Sequence, residues 1–230
     1  MTGAAPSATA LVAVLLTCAA ACLFLIVVIA RLPEPEDAVQ EGWTKRPYAS
    51  LAAKGPVCVV LLLSAGSALL AVEQARSQWP LLLVLAGPVC ALVTCDLYTT
   101  WLPLRATRWC WVLSAAALAC CLLATPRDAW TVGLRSTLAA AVTTLFFWTC
   151  WRLTGALGFG DVRLVGMLSA GAALDSWTLV GATLLAGTTV GAVASIVVAL
   201  LRRRRPHPMG TTIPYGPALW SGIWLAFLAT

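Results

Sequence analysis

Residues 10–30 read ALVAVLLTCAAACLFLIVVIA, twenty-one positions without a charge. A helix rising 1.5 Å per residue needs about 20 such residues to cross the hydrocarbon core of a bilayer, so this stretch is expected to span it. It has no basic n-region and exceeds the ~7 to 15 apolar residues of a signal peptide, so it reads as a retained first helix. The rest of the chain agrees: of 230 residues, 60% are hydrophobic and only 10% charged, with a mean hydropathy of +0.89. That balance lies far outside the range of a soluble domain and predicts an integral membrane protein. The net charge of +6 would otherwise suit nucleic acid. With no soluble domain to present a basic face, it reads as membrane topology instead, with the lipid bilayer as partner and no nucleic acid.

Eight apolar segments can be drawn, at 10–30, 56–72, 79–95, 109–124, 134–151, 162–174, 177–201 and 217–229. If the N-terminus is outside, Arg31, Lys45, Arg46, Lys54, Arg105, Arg108, Arg152, Arg163 and Arg202 to Arg205 all fall inside, twelve of the fifteen basic residues. Only Arg76, Arg127 and Arg135 stay outside. The positive-inside rule therefore favours an all-α, polytopic helical bundle with about eight transmembrane segments and both termini outside. Residues 1–230 read as a single membrane domain, with a short polar cytoplasmic loop at 31–55. The sixth and eighth segments are short for a crossing and are expected to be tilted, re-entrant or buried in the bundle. Gly187 and Gly191 make a small-xxx-small face on the seventh segment, which predicts close helix packing.

Two acids stand out against this apolar background. Asp161 lies in Gly158-Phe159-Gly160-Asp161-Val162-Arg163, at the inner start of the sixth segment, and Asp96 closes the apolar run from Leu81 to Cys95, at the inner end of the third. A carboxylate kept at a bilayer is a functional-site candidate by default. Two carboxyl groups that can share a proton are what an aspartyl hydrolase needs, because like charges at short range cannot both ionise. Plainer roles exist. Asp161 could cap the sixth helix by accepting a bond from a backbone N–H near its start. Asp96 fits a structural role less easily, because the macrodipole disfavours an acid at a helix C-terminus. Asp175, before Ser176, reads as an outer N-cap. The glycines beside Phe159 would let the backbone approach a substrate strand closely. Pro103 and Thr99-Thr100 would end the third segment in irregular backbone facing water.

Other chemistries fare poorly. The single histidine, His207, lies between two prolines, and no H-E-x-x-H occurs. None of the nine cysteines forms a C-x-x-C pair, which argues against structural zinc or a disulfide framework.

These residues resemble the type IV prepilin peptidases, aspartic membrane proteases with a G-x-G-D-x-K-L motif. Gly158-Phe159-Gly160-Asp161-Val162-Arg163-Leu164 matches that motif with arginine in place of lysine. Asp96 stands seven residues before Pro103, as in the family's first-aspartate motif, and Ile213-Pro214-Tyr215-Gly216-Pro217 is similar to its I-P-[FY]-G-P segment. The resemblance covers roughly residues 56–229. It implies cleavage after a glycine, on the cytoplasmic side of the inner membrane, of prepilin-like substrates with a basic leader and an apolar helix. Asp96 and Asp161 would be the catalytic pair, supported by Gly158, Gly160, Arg163, Pro103, Pro214 and Gly216, with no metal and no cofactor. Leu104 departs from the Asp or Asn that commonly follows the proline. The loop at 31–55 stands where larger members carry a domain with two C-x-x-C pairs, so no N-methyltransferase activity and no zinc are expected. The chain looks like the minimal peptidases that accompany tight-adherence pili. An ion- or proton-coupled transporter using the same acids, or an inactive scaffold relative, would read similarly.

The acidic stretch Glu34, Glu36, Asp37 and Glu41 is the better candidate to attract a basic leader, and Arg202 to Arg205 reads as a lipid-facing anchor.

Overall fold

The computed structural model describes residues 7–33, 46–155, 157–202 and 214–229. His207, Ile213, Arg203 to Arg205 and the acids at 34, 36, 37 and 41 lie outside the described residues.

The described chain is helical. Helix α1 (Ala8–Leu23) is capped by Ser7, whose hydroxyl accepts the Ala10 N–H, and continues as a π-helical stretch, Phe24–Ile29. A 3₁₀ turn at Tyr48–Ala52 leads into α2 (Lys54–Glu73). Then follow α3 (Trp79–Ala86), α4 (Pro88–Thr99), α5 (Leu104–Ala124), α6 (Ala129–Thr154), α7 (Phe159–Ala172), α8 (Trp177–Arg202) and α9 (Gly216–Ala229). Each of the eight apolar segments is helical, with 79–95 divided between α3 and α4. Among the described residues, five helical stretches are long and apolar enough to cross a membrane: Ala8–Ile29, Lys54–Glu73, Arg76–Thr99, Leu104–Ala124 and Trp177–Leu201.

Several boundaries differ from the apolar blocks for identifiable reasons. Helix α5 begins at Leu104, taking in Arg105 and Arg108, because Pro103 supplies a helix start that hydropathy does not register. Helix α6 likewise extends beyond 134–151 at both ends and takes in Arg152. The run at 79–95 is interrupted at Gly87, whose φ of −103° and ψ of −97° are not helical. Pro88 has no N–H to continue the ladder and starts α4 in a new direction. A carbonyl just before the break is not left orphaned: the Trp220 indole N–H of α9 donates to Leu85 O at 2.9 Å. Asp175 is not the cap of α8; Ser176 is, its hydroxyl accepting the Leu179 N–H at 3.1 Å.

The core is built around α4, α7 and α9. Every residue of α4 from Val89 to Asp96 is buried, as are Asp161, Val162 and Leu164 to Ala172 of α7. Among the expectations for the two short segments, burial within the bundle is realised for α7, whereas α9, also of 14 residues, is buried on one side and leaves Leu225 and Leu228 exposed. The longer helices turn leucines outward, among them Leu62 of α2, Leu123 of α5 and Leu185 of α8, the face a lipid-embedded bundle presents.

The close helix packing expected of Gly187 and Gly191 is present. A Cβ at Gly187 would stand 3.0 Å from the Leu219 backbone, and one at Gly191 would collide with the Tyr215 ring. The far end of α7 is held by Arg135 of α6, whose guanidinium donates to Ala173 O and, at 2.7 Å, to Leu174 O. The latter part of the stretch expected as a loop at 31–55 is already folded onto the bundle: Tyr48 and Leu51 are buried, and α2 begins at Lys54.

Candidate active site

Asp96 occupies the last turn of α4. The helix stops one turn later, at Thr99, because the next residues bond to its end rather than extend it. Thr99 Oγ1 donates to Cys95 O at 2.8 Å and accepts the Trp101 N–H at 3.3 Å. Thr100, at φ 57°, adopts the left-handed conformation and donates its N–H to Asp96 O at 2.7 Å. A β-branched residue there is strained, by on the order of 1–2 kcal/mol. The turn is held by the hydrogen bonds around it and by Pro103, which starts α5.

Asp161 lies in the first turn of α7. Its Oδ2 accepts the N–H of Gly158, the residue that precedes the helix, at 3.2 Å. The helix-capping role open to it from sequence is therefore realised. Gly158 cannot reciprocate with a side chain, so the acid alone closes this helix start.

Asp96 also caps a helix, though not its own. Its Oδ2 accepts the Gly216 N–H at 3.0 Å, 120 residues along the chain. Gly216 is the first residue of α9, so this is one of the N–H groups that a helix start leaves without an internal partner. The unfavourable position of the acid at the end of α4 is offset by the favourable one at the start of α9. Asp96 and Asp161 are about 5% and 6% exposed, a level at which ionised groups require such partners.

The two helix starts bring the two acids together. The Asp96 carboxylate lies within Coulombic range of Asp161, although 65 residues separate them in sequence. Tyr215 joins them. Burial first, and the Asp161 charge second, push its phenol above the ordinary tyrosine value. Its hydroxyl donates to Thr188 O of α8 at 3.3 Å, so Tyr215 pegs the segment Pro214-Tyr215-Gly216 to a neighbouring helix.

The glycines serve internal packing. A Cβ at Gly216 would lie 2.7 Å from Asp96 Oδ2, and one at Gly160 would lie 2.6 Å from Leu102 Cδ1. Gly160 thus brings the start of α7 against the linker between α4 and α5 rather than opening it to an extended strand. Arg163 directs its guanidinium over the Phe159 ring, 4.3 Å from the centroid, and Phe159 stacks at a tilt on Trp151. Thr99, expected from the sequence to help end the third segment, does so through its bonds to Cys95 O and the Trp101 N–H, and Leu102 packs against Gly160. No group of three or more potential metal ligands occurs among the described residues.

Fold and site define a helical membrane protein with two buried carboxylates at one end of its bundle. Three curated relatives, each named prepilin leader peptidase/N-methyltransferase, are similar to this chain. That of Pseudomonas aeruginosa is 34% identical over 84 residues, 36% of this chain and 27% of the relative. That of Pseudomonas putida is 35% identical over 95 residues, 39% and 31% of the two chains. That of Stutzerimonas stutzeri is 36% identical over 84 residues, 36% and 27%. These matches support the chain's place in the type IV prepilin peptidase family. The matched stretch spans less than a third of the relatives' length. No family model matches the chain, and no solved structure does.

Proposed function

We propose that the chain is a membrane aspartyl endopeptidase that removes the leader of prepilin or pseudopilin substrates, with Asp96 and Asp161 as its catalytic pair. The observation that carries this reading is the meeting of two buried carboxylates, each with one oxygen fixed by a backbone N–H at a helix start. Two carboxyl groups within Coulombic range of each other favour a state with one proton over one with two negative charges. In the proposed reaction the ionised carboxylate takes a proton from water as the water oxygen attacks the scissile carbonyl. The protonated carboxyl donates to the carbonyl oxygen. Collapse of the tetrahedral intermediate then breaks the C–N bond, and the amine leaves with a proton.

The substrate reading rests on the family: a basic leader ahead of an apolar helix, cut after a glycine. The bias of arginine and lysine favours the cytoplasmic side of the inner membrane for the two acids, eight crossings, and both termini outside. Of the two activities in the relatives' name the proposal takes only the peptidase, because the 230 residues contain no C-x-x-C pair.

The test is co-expression of this protein with prepilin-like precursors, reading leader loss by mass spectrometry. Cleavage by the wild type after a glycine is expected, with none by Asp96→Asn or Asp161→Asn at equal membrane levels. Processing retained in either variant removes the assignment. Uncut precursors together with pH-driven flux in proteoliposomes would favour an ion-coupled carrier.

A further inference from the structure

A cleft of about 650 Å³ opens between α5, α6 and α7, beside the turn of α7 that carries Asp161, with neither Asp161 nor Asp96 in its lining. Its walls include Trp111, Thr137, Ala141, Trp148, Phe159 and Arg163. We propose that this cleft binds one acyl chain of an anionic phospholipid, whose phosphate is held by the arginines at its rim.

Three features of the cleft select such an occupant. The first is length. Thr137 and Trp148 are eleven residues apart on α6, so the cleft runs about 16 Å along that helix at 1.5 Å per residue. That is close to half of the roughly 30 Å hydrocarbon core, the depth of one leaflet. A lipid tail fits this span, whereas a membrane-crossing peptide helix would need twice the distance.

The second is charge. Arg163 lines the cleft at the start of α7, and Arg108 of α5 lies within Coulombic range of it. Arg108 precedes Trp111 by three residues and Arg152 follows Trp148 by four, spacings that put each arginine on the same helix face as a lining tryptophan. Three helices thus bring one cation each to the same end of an otherwise apolar cleft. Neighbouring guanidiniums repel one another unless an anion comes between them. A phosphodiester meets that need, since its oxygens match the planar donor array of arginine.

The third is the position of the aromatic residues. Trp111 and Trp148 lie at the arginine end, where indoles sit when that level is the membrane interface. The apolar depth then points toward the bilayer centre.

The experiment uses the full chain, extracted in mild detergent from phosphatidylcholine vesicles containing a minor share of phosphatidylglycerol, with bound lipid counted by native mass spectrometry. The wild type is expected to retain one phosphatidylglycerol in preference to phosphatidylcholine. Arg108→Gln combined with Arg152→Gln should lower that preference by about tenfold. Ala141→Trp, which fills the cleft and leaves the arginines in place, should abolish retention of both lipids. Wild-type retention of the two lipids in proportion to their supply overturns the proposal, and so does lipid retention by Ala141→Trp. An apolar helical peptide seated in the cleft in the lipid's place would overturn it too. The wild-type comparison needs no variant, so a misfolded variant cannot mask the outcome.

Discussion

Asp96 and Gly216 form the contact on which the geometry of the acids depends. Glycine is required at 216 because any Cβ there meets the carboxylate oxygen that the Gly216 N–H holds. The atom it meets is the tip of a side chain, so Gly216→Ala is expected to displace Asp96 rather than part the helices. Leader processing should fall by about a hundredfold, the order expected for a reacting group misplaced by about 1 Å. The melting temperature should move by only a few degrees, since one hydrogen bond to a charged group is worth about 1.5–3 kcal/mol. Unchanged processing in Gly216→Ala would mean that the bond does not position Asp96. Both acids were legible in the sequence as charges against apolar runs. The partner of Asp96 was not, because local spacing is blind to a donor 120 residues away. Of the two readings of Asp161, capping is realised in the structure, and it makes no demand that conflicts with the proposed catalytic one.

At the level of helices, α8 and α9 approach so closely that backbone meets backbone. A Cβ at Gly222 would stand 2.7 Å from Gly187 N and would also strike Thr183 O. Neither neighbour is a side chain that can swing aside, so Gly222→Ala should lower stability by about 1–3 kcal/mol or more, read as a fall in melting temperature in detergent. Gly66 on α2 is the control: it is exposed, and nothing lies within 4 Å of its missing Cβ. Gly66→Ala should therefore be neutral or stabilising, by up to about 1 kcal/mol from helix propensity. Equal losses in the two variants would contradict the packing argument. Hydropathy located these helices well because an apolar run in a membrane protein has little choice but to be helical. It missed the break at Gly87-Pro88, since both residues lie inside an uninterrupted apolar stretch. It also stopped short of Arg105 at the start of α5, where a proline rather than an apolar residue marks the helix boundary.

For the molecule as a whole, the distribution of arginine and lysine makes a prediction about orientation. Alkaline phosphatase fused to either end should be active, because both termini are expected on the outer side. An inactive fusion at one end would change the number of crossings from even to odd and part the two acids from the side assigned to them. Among the described residues, five helical stretches meet the length and apolarity of a crossing, one of them α3 and α4 taken together. Of the three apolar segments outside those five, two correspond to the 14-residue helices α7 and α9, whereas α6 has 26 residues, so shortness separates only α7 and α9 from the others.

The reach of Asp96 to α9 also bears on biosynthesis. A ribosome delivers α4 and α7 to the membrane well before residue 216, so a nascent chain holds both aspartates while the backbone donor for one of them has yet to be made. Only when the last described helix docks does that carboxylate gain its partner. An incompletely synthesised chain is therefore left with Asp96 lacking its Gly216 partner, and under the proposed function the order of translation would withhold the finished pair until that helix docks.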